Sequence, residues 1–298
     1  MNILELHDVV KEYKTNTAVD HVSFAVPKGK IFGLLGPNGA GKTSLIRIIT
    51  TITMADRGKI LFDGEELDFN HPHEIGYLPE ERGLYKKMKV YEQLKYLGQL
   101  KGLSSAECSK RINFWLKKFD IESWKSKKIE ELSKGMQQKI QFIATVLHDP
   151  KLLILDEPFS GLDPINTNLI KDEIADMNRR GVSIIFSTHR MEQVEEICEE
   201  IVMINNGKKV LEGNVDQIKE KFKKNHFYIS FNSSVPDHIS LDNFSIIEKS
   251  DSAITVAVTE GHHPNILLKY LLNEGADIKS YHEILPSINE IFIERVKA

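Results

Sequence analysis

The stretch Gly36-Pro37-Asn38-Gly39-Ala40-Gly41-Lys42-Thr43 restricts this chain more than any other. It fits G-x-x-x-x-G-K-[ST], the pattern of a loop that wraps phosphate. The pattern carries weight only between a strand and a helix. Ile31-Phe32-Gly33-Leu34-Leu35 ahead of it reads as a short buried strand, and Thr43 to Thr50 behind it as a helix with Leu45, Ile46 and Ile49 on one apolar side. Glycines let the backbone turn sharply and bring several N–H groups close to one anion. The helix N-terminus adds a partial positive charge aimed at the same point. In such a loop Lys42 reaches the β- and γ-phosphates and the Thr43 hydroxyl can ligate Mg²⁺. A glycine-rich turn without a ligand is the plain alternative, and the strand–loop–helix order argues against it.

Further stretches narrow the chemistry. Lys151 to Glu157 reads K-L-L-I-L-D-E. Consecutive apolar residues suit a strand buried on both faces of a parallel sheet. Asp156 at its end is a Mg²⁺ candidate, and Glu157 after it can polarise an attacking water. Two solvated acids at a strand end are the other reading. Leu132-Ser133-Lys134-Gly135-Met136-Gln137-Gln138 precedes the helix that leads into this strand, and Ser133 also makes a good N-cap for that helix. Ser160-Gly161-Leu162-Asp163 follows the strand. Ser187-Thr188-His189 follows a further apolar run, Ile184-Ile185-Phe186.

In this order the motifs resemble those of ATP-binding cassette (ABC) ATPases, over about residues 1 to 215. Leu132 to Gln137 is similar to the family's L-S-G-G-Q signature, matching at Ser133 and Gly135 and departing at Lys134 and Met136. Ser160 to Asp163 resembles the D-loop, and His189 the switch histidine. Ile75-Gly76-Tyr77-Leu78-Pro79-Glu80 is similar to the Q-loop, with Glu80 where the family usually has Gln. A carboxylate there can still ligate Mg²⁺, or it sits on a solvated loop. Tyr13 stands where the family stacks an aromatic ring on adenine; a surface tyrosine at a strand end is the alternative.

The resemblance implies a nucleotide held by Tyr13 and by Gly36, Pro37, Asn38, Gly39, Ala40, Gly41, Lys42, Thr43 and Ser44. Ser133 and Gly135 would come from the opposite subunit of a head-to-tail homodimer or heterodimer, and Asp163 of the D-loop belongs to the same nucleotide-binding set. Glu157 and His189 would act with Lys42 in catalysis, and Thr43, Glu80 and Asp156 would serve Mg²⁺. ATP is then the nucleotide, and a membrane permease on a separate chain the partner. A soluble ATP switch without a permease is the alternative, and a neighbouring reading frame with about six apolar spans would decide against it.

Composition agrees with a soluble chain. Charged residues are 28%, apolar residues 41% and the net charge is −4. Such a balance gives no electrostatic reason to expect nucleic acid as a partner. Cys108 and Cys198 do not make a disulfide framework. No apolar run approaches the roughly 20 residues that span a bilayer, and Met1 to Glu5 does not read as a leader. A cytoplasmic protein, peripheral on the inner membrane face, is expected.

The fold class expected is α/β. A P-loop cassette with a mixed sheet would carry an antiparallel β subdomain and a helical subdomain at about 84–148. The cassette spans 1–222. A composition shift near Lys223-Lys224-Asn225 opens a small α+β domain, 223–298, similar to the tails of sodium-extrusion and drug-export ATPases. His71-Pro72-His73 and His262-His263 read as solvated loop histidines, since no acid or Cys stands at ligand spacing.

Overall fold

A computed structural model describes residues 1–81, 83–236, 244–259 and 262–297. The chain divides into two compact units, Met1–Asn214 and Val215–Ala298. That division falls ahead of the compositional shift at 222/223, because the short helix Val215–Lys221 packs on the C-terminal helix of the second unit.

The first unit opens with β1 (Asn2–Tyr13) and β2 (Asn16–Pro27), a long antiparallel hairpin. Then come β3 (Ile31–Leu35), α1 (Lys42–Ile49), β4 (Arg57–Phe62), the two-residue β5 (Glu65–Glu66) and β6 (Ile75–Leu78). The helical subdomain follows as α2 (Val90–Leu100), α3 (Ser105–Lys118) and α4 (Lys134–Val146). The chain returns to the core as β7 (Leu152–Asp156), α5 (Pro164–Arg179), β8 (Ser183–Thr188), α6 (Met191–Ile197), β9 (Glu200–Asn205) and β10 (Lys208–Asn214).

One sheet runs β2-β1-β4-β5 and is antiparallel. The other runs β10-β9-β3-β8-β7-β6, parallel except for β10 at its edge. Every residue of β3, β7 and β8 is buried, which is why these strands read as apolar runs. β2 alternates instead, burying Val22, Phe24 and Val26. Phe24 stacks on Phe32 at 5.7 Å and joins the two sheets in one core, to which α1 adds Leu45, Ile46, Ile48 and Ile49. Each such side chain, fully buried, contributes roughly 1.5–3 kcal/mol.

Local chemistry sets the helix starts. Ser104 and Glu107 close a capping box at α3. The Ser133 hydroxyl accepts from the Met136 N–H at α4. Asp163 accepts from the Asn166 N–H at α5, with Pro164 in the first turn.

The second unit begins with α7 (Val215–Lys221). It contains β11 (His226–Phe231), β12 (Phe244–Lys249), β13 (Ala253–Val258), α8 (Asn265–Asn273), β14 (Ile278–Ile284) and α9 (Ile288–Lys297). Its antiparallel sheet runs β12-β13-β11-β14. Ile229, Phe231, Ile254 and Val256 pack with Leu267 and Leu271 of α8 in a core of their own.

Candidate nucleotide site

The register of the parallel sheet gathers the motif residues at one edge. Leu35 pairs with Thr188, Asp156 with Ser187 and Leu78 with Leu155. The loops after β3, β6, β7 and β8 therefore leave the sheet side by side, at the strand ends where open α/β sheets take their ligands.

The loop after β3 is held in a conformation that needs glycine. Gly36 has φ 151° and Gly41 has φ 109°. A Cβ on Gly36 would lie 2.1 Å from the Ile204 carbonyl oxygen, and one on Gly41 2.2 Å from that of Ala18. Lys42 is buried and donates to the carbonyls of Gly36 at 2.7 Å and Pro37 at 3.1 Å. Burial pulls its ammonium below the usual lysine range, against the attraction of Asp156, Glu157 and Glu80. All three carboxylates line the same cavity as Lys42.

Asp156 is buried, and the Ser187 hydroxyl donates to its Oδ1 at 2.7 Å. Burial pushes this carboxyl above the usual range, while the Ser187 hydrogen bond and Lys42 oppose the rise. Glu157 turns the chain with φ 50°. Its carboxylate folds onto the end of β8, accepting from the Thr188 hydroxyl at 3.1 Å and the His189 N–H at 2.7 Å. His189 Nδ1 lies 2.6 Å from the same carboxylate.

A cavity of about 390 Å³ opens above the loop. Tyr13, residues 38–44, Glu80, Asp156 and Glu157 line it. Tyr13 is 45% exposed at its lip, with the Lys11 ammonium 5.7 Å from the ring centre. The donor set suits a hard, oxygen-seeking cation beside phosphates: the Thr43 hydroxyl, the buried Asp156 and Glu80. Among the described residues no group of three or more His, Cys, Asp or Glu could hold a metal by itself.

Ser133, Gly135 and Asp163 are not among the described residues lining this cavity. Ser133 and Asp163 are exposed caps of α4 and α5. A Cβ on Gly135 would touch Leu162 at 3.8 Å, so the signature turn lies against the loop that ends in Asp163. These residues form a second, exposed surface on the same unit.

Two glutamines of α4 escaped the sequence reading. Gln138 is buried and donates to the Pro158 carbonyl at 3.1 Å. Gln141 is buried and donates to the carbonyls of Pro79 at 3.1 Å and Glu81 at 3.3 Å. The available signal was position: both alternate with Ile140, Phe142 and Ile143 on a helix whose residues are mostly buried. His71 corrects an expectation. It is not solvated but 9% exposed, with its ring 5.1 Å from Phe62 and its Nδ1 accepting from the Asp68 N–H. The adjacent strand β4 supplies the cover that its Pro-containing turn did not reveal.

A glycine-rich loop between a buried parallel strand and a helix, with Asp-Glu ending a strand of the same sheet, defines the class as a P-loop NTPase. Residues 19–160 match the family described as ABC transporter, and residues 213–296 the ATP-binding protein DrrA1-3-like C-terminal domain. The chain is 41% identical over 296 residues to the uncharacterized ABC transporter ATP-binding protein YhaQ of Bacillus subtilis (strain 168), spanning 99% of each. It is 34% identical over 232 residues to the ABC transporter ATP-binding protein NatA of the same organism, spanning 76% of this chain and 94% of NatA. A solved structure described as the ATP binding subunit of an ABC transporter agrees with a TM-score of 0.69 at 32% identity, covering 74% of this chain and 93% of its own. The chain belongs to the ATP-binding proteins of ABC transporters, the ATP-hydrolysing subunits of those systems.

Proposed function

We propose that the subunit binds Mg-ATP in the 390 Å³ cavity and hydrolyses it with Glu157 as the base. The observation that carries this reading is the alignment of the 36–44 loop, Asp156-Glu157 and His189 at the ends of adjacent parallel strands. Tyr13 stacks on the adenine, a contact worth ~1–3 kcal/mol for a base on an aromatic ring. The N–H groups of residues 38–43 and the Lys42 ammonium take the phosphates. Thr43, Asp156 and Glu80 hold Mg²⁺, which when bound neutralises phosphate charge and fixes the phosphates' geometry. Glu157 accepts the proton of the attacking water, and His189 holds that carboxylate in place and reaches toward the γ-phosphate.

The site is completed by a second cassette. Ser133, Gly135 and Asp163 do not line the chain's own cavity, which favours a head-to-tail pair in which they cover the partner's nucleotide. Among the described residues no helix is long and apolar enough to cross a membrane, so transport needs a permease on another chain. A 430 Å³ apolar groove between the sheet and the helical subdomain, lined by Ile52, Ile75, Leu84, Leu97 and Leu100, supports its contact surface. In this reading the subunit works at the cytoplasmic face of the membrane, against that permease.

Light scattering of the Glu157→Gln protein tests the reading. With Mg-ATP its mass doubles. Adding Ser133→Arg keeps it monomeric while leaving ATP affinity within about twofold. A dimer that forms equally well when Ser133→Arg is combined with Glu157→Gln contradicts the head-to-tail site.

A further inference from the structure

The loop bearing Glu80 is fastened to the helix that carries the signature motif. The carbonyls on either side of Glu80, those of Pro79 and Glu81, both accept from the Gln141 side-chain amide. Gln141 is 4% exposed and belongs to α4, whose N-cap is Ser133. Its own Oε1 is buried with no hydrogen-bond partner among the described residues. Beyond the loop, Gln93 of α2 accepts from the Tyr85 N–H at 2.8 Å. Residues 86–90 are then laced to 127–130 by backbone bonds, Glu130 N–H to Lys86, Ile129 N–H to Met88 and Val90 N–H to Lys127. Residues 127–130 run directly into Leu132 and Ser133.

The half-satisfied amide is informative. A buried carbonyl oxygen left unpaired costs stability, and an apolar side chain would avoid that cost. Gln141 lines a groove that also presents Ile52, Ile75, Leu84, Leu97 and Leu100, apolar side chains against which Met or Leu would pack. The carbonyls it binds lie next to an exposed residue, Glu80, and water could serve them. Fold stability therefore does not account for an amide at 141; the position of the Glu80 loop does.

We propose that Gln141 is a positioning residue for Glu80. Its amide grips the peptide units on both sides of that residue and holds the carboxylate in the cavity that Lys42 and Asp156 also line. Any shift of α4 that moves Ser133 moves Glu80 with it. The inference rests on the reading of Glu80 as a group acting on the phosphates and Mg²⁺.

A double-mutant cycle tests it. ATP affinity is measured by calorimetry, with Mg²⁺ and with chelator, for the parent, Glu80→Gln, Gln141→Met and the double variant. An anion beside the phosphates repels them most when no metal is present. In the parent background Glu80→Gln therefore tightens metal-free ATP about five- to tenfold and shifts Mg-ATP less than twofold. Gln141→Met reproduces most of that gain, and Glu80→Gln then adds less than about twofold. Gln141→Leu, which likewise lacks any donor and adds no charge, must show the same loss of coupling, and it carries the test if Gln141→Met does not fold. A merely structural Gln141 would lower the urea midpoint and leave the Glu80→Gln factor unchanged in every background, which overturns the proposal. If Glu80→Gln has no effect in the parent, the reading of Glu80 fails first, and the role of Gln141 falls with it.

Discussion

His189 Nδ1 lies 2.6 Å from Glu157 Oε1, and the same oxygen accepts the His189 N–H at 2.7 Å. The pairing exists because Glu157 adopts φ 50°, a backbone turn costing about 1–3 kcal/mol at a non-glycine residue. That turn reverses the side chain from the end of β7 onto the end of β8. The carboxylate is thereby oriented by Thr188 and His189, at the end of β8, rather than by its own strand.

His189→Ala should remove the side-chain restraint and keep the backbone donor. The account expects phosphate release to fall about 10²–10⁴-fold, the range for a mispositioned acid–base group, with ATP affinity changed less than threefold. Steady-state turnover and calorimetry on the same preparation read both. Equal losses of affinity and turnover would mean that His189 acts in binding alone.

Gly41→Ala and Lys42→Ala should part company. Alanine at 41 meets φ 109° and a carbonyl oxygen 2.2 Å from its Cβ. It should cost at least about 1–3 kcal/mol of stability and at least tenfold in ATP affinity. Lys42 is disfavoured by its own burial. Its removal should leave the urea midpoint unchanged or slightly raised while ATP affinity falls at least tenfold. A Lys42→Ala protein with parental ATP affinity would remove the loop from phosphate binding.

His148 gives the fold an acid limb. Burial first, then Lys101, hold its imidazole at about 4 instead of the ordinary 6.5, against a hydrogen bond to the Ile75 carbonyl. Between those values the unfolded chain binds the proton and the folded one does not. Stability from this group is therefore full above 6.5 and falls as the pH is lowered toward 4. From pH 7 to 5 the loss is on the order of 1–2 kcal/mol. His148→Gln should flatten this limb, as read from urea midpoints at both pH values. An unchanged slope would assign the acid limb to other groups.

The fold was legible where burial is one-dimensional. β3, β7 and β8 are enclosed on both faces, so their sequences are unbroken apolar runs, and Val22, Phe24 and Val26 show the alternation of a half-buried strand. Glycines 36 and 41 were visible as a pattern because their backbone shape excludes other residues. What stayed hidden depends on neighbours distant in sequence. The turn at Glu157 follows from the pairing of Asp156 with Ser187. The place of Gln141 among Ile140, Phe142 and Ile143 hints at burial, but its partners are not visible until the 79–81 loop is laid across it. His71 looks like a loop residue until Phe62 covers it. The place of α7 in the second unit depends on α9, far along the chain.

The central claim is that Glu157 supplies the base for ATP hydrolysis, and Glu157→Gln tests it most directly. The amide keeps the shape and the hydrogen-bonding oxygen but loses the basicity. Phosphate release is followed in a single turnover with excess protein and Mg-ATP, beside calorimetric binding. The account predicts ATP affinity within about threefold of the parent and phosphate release slowed at least about 10²-fold. Release at the parental rate with ATP bound normally would contradict it and take the base role away from Glu157.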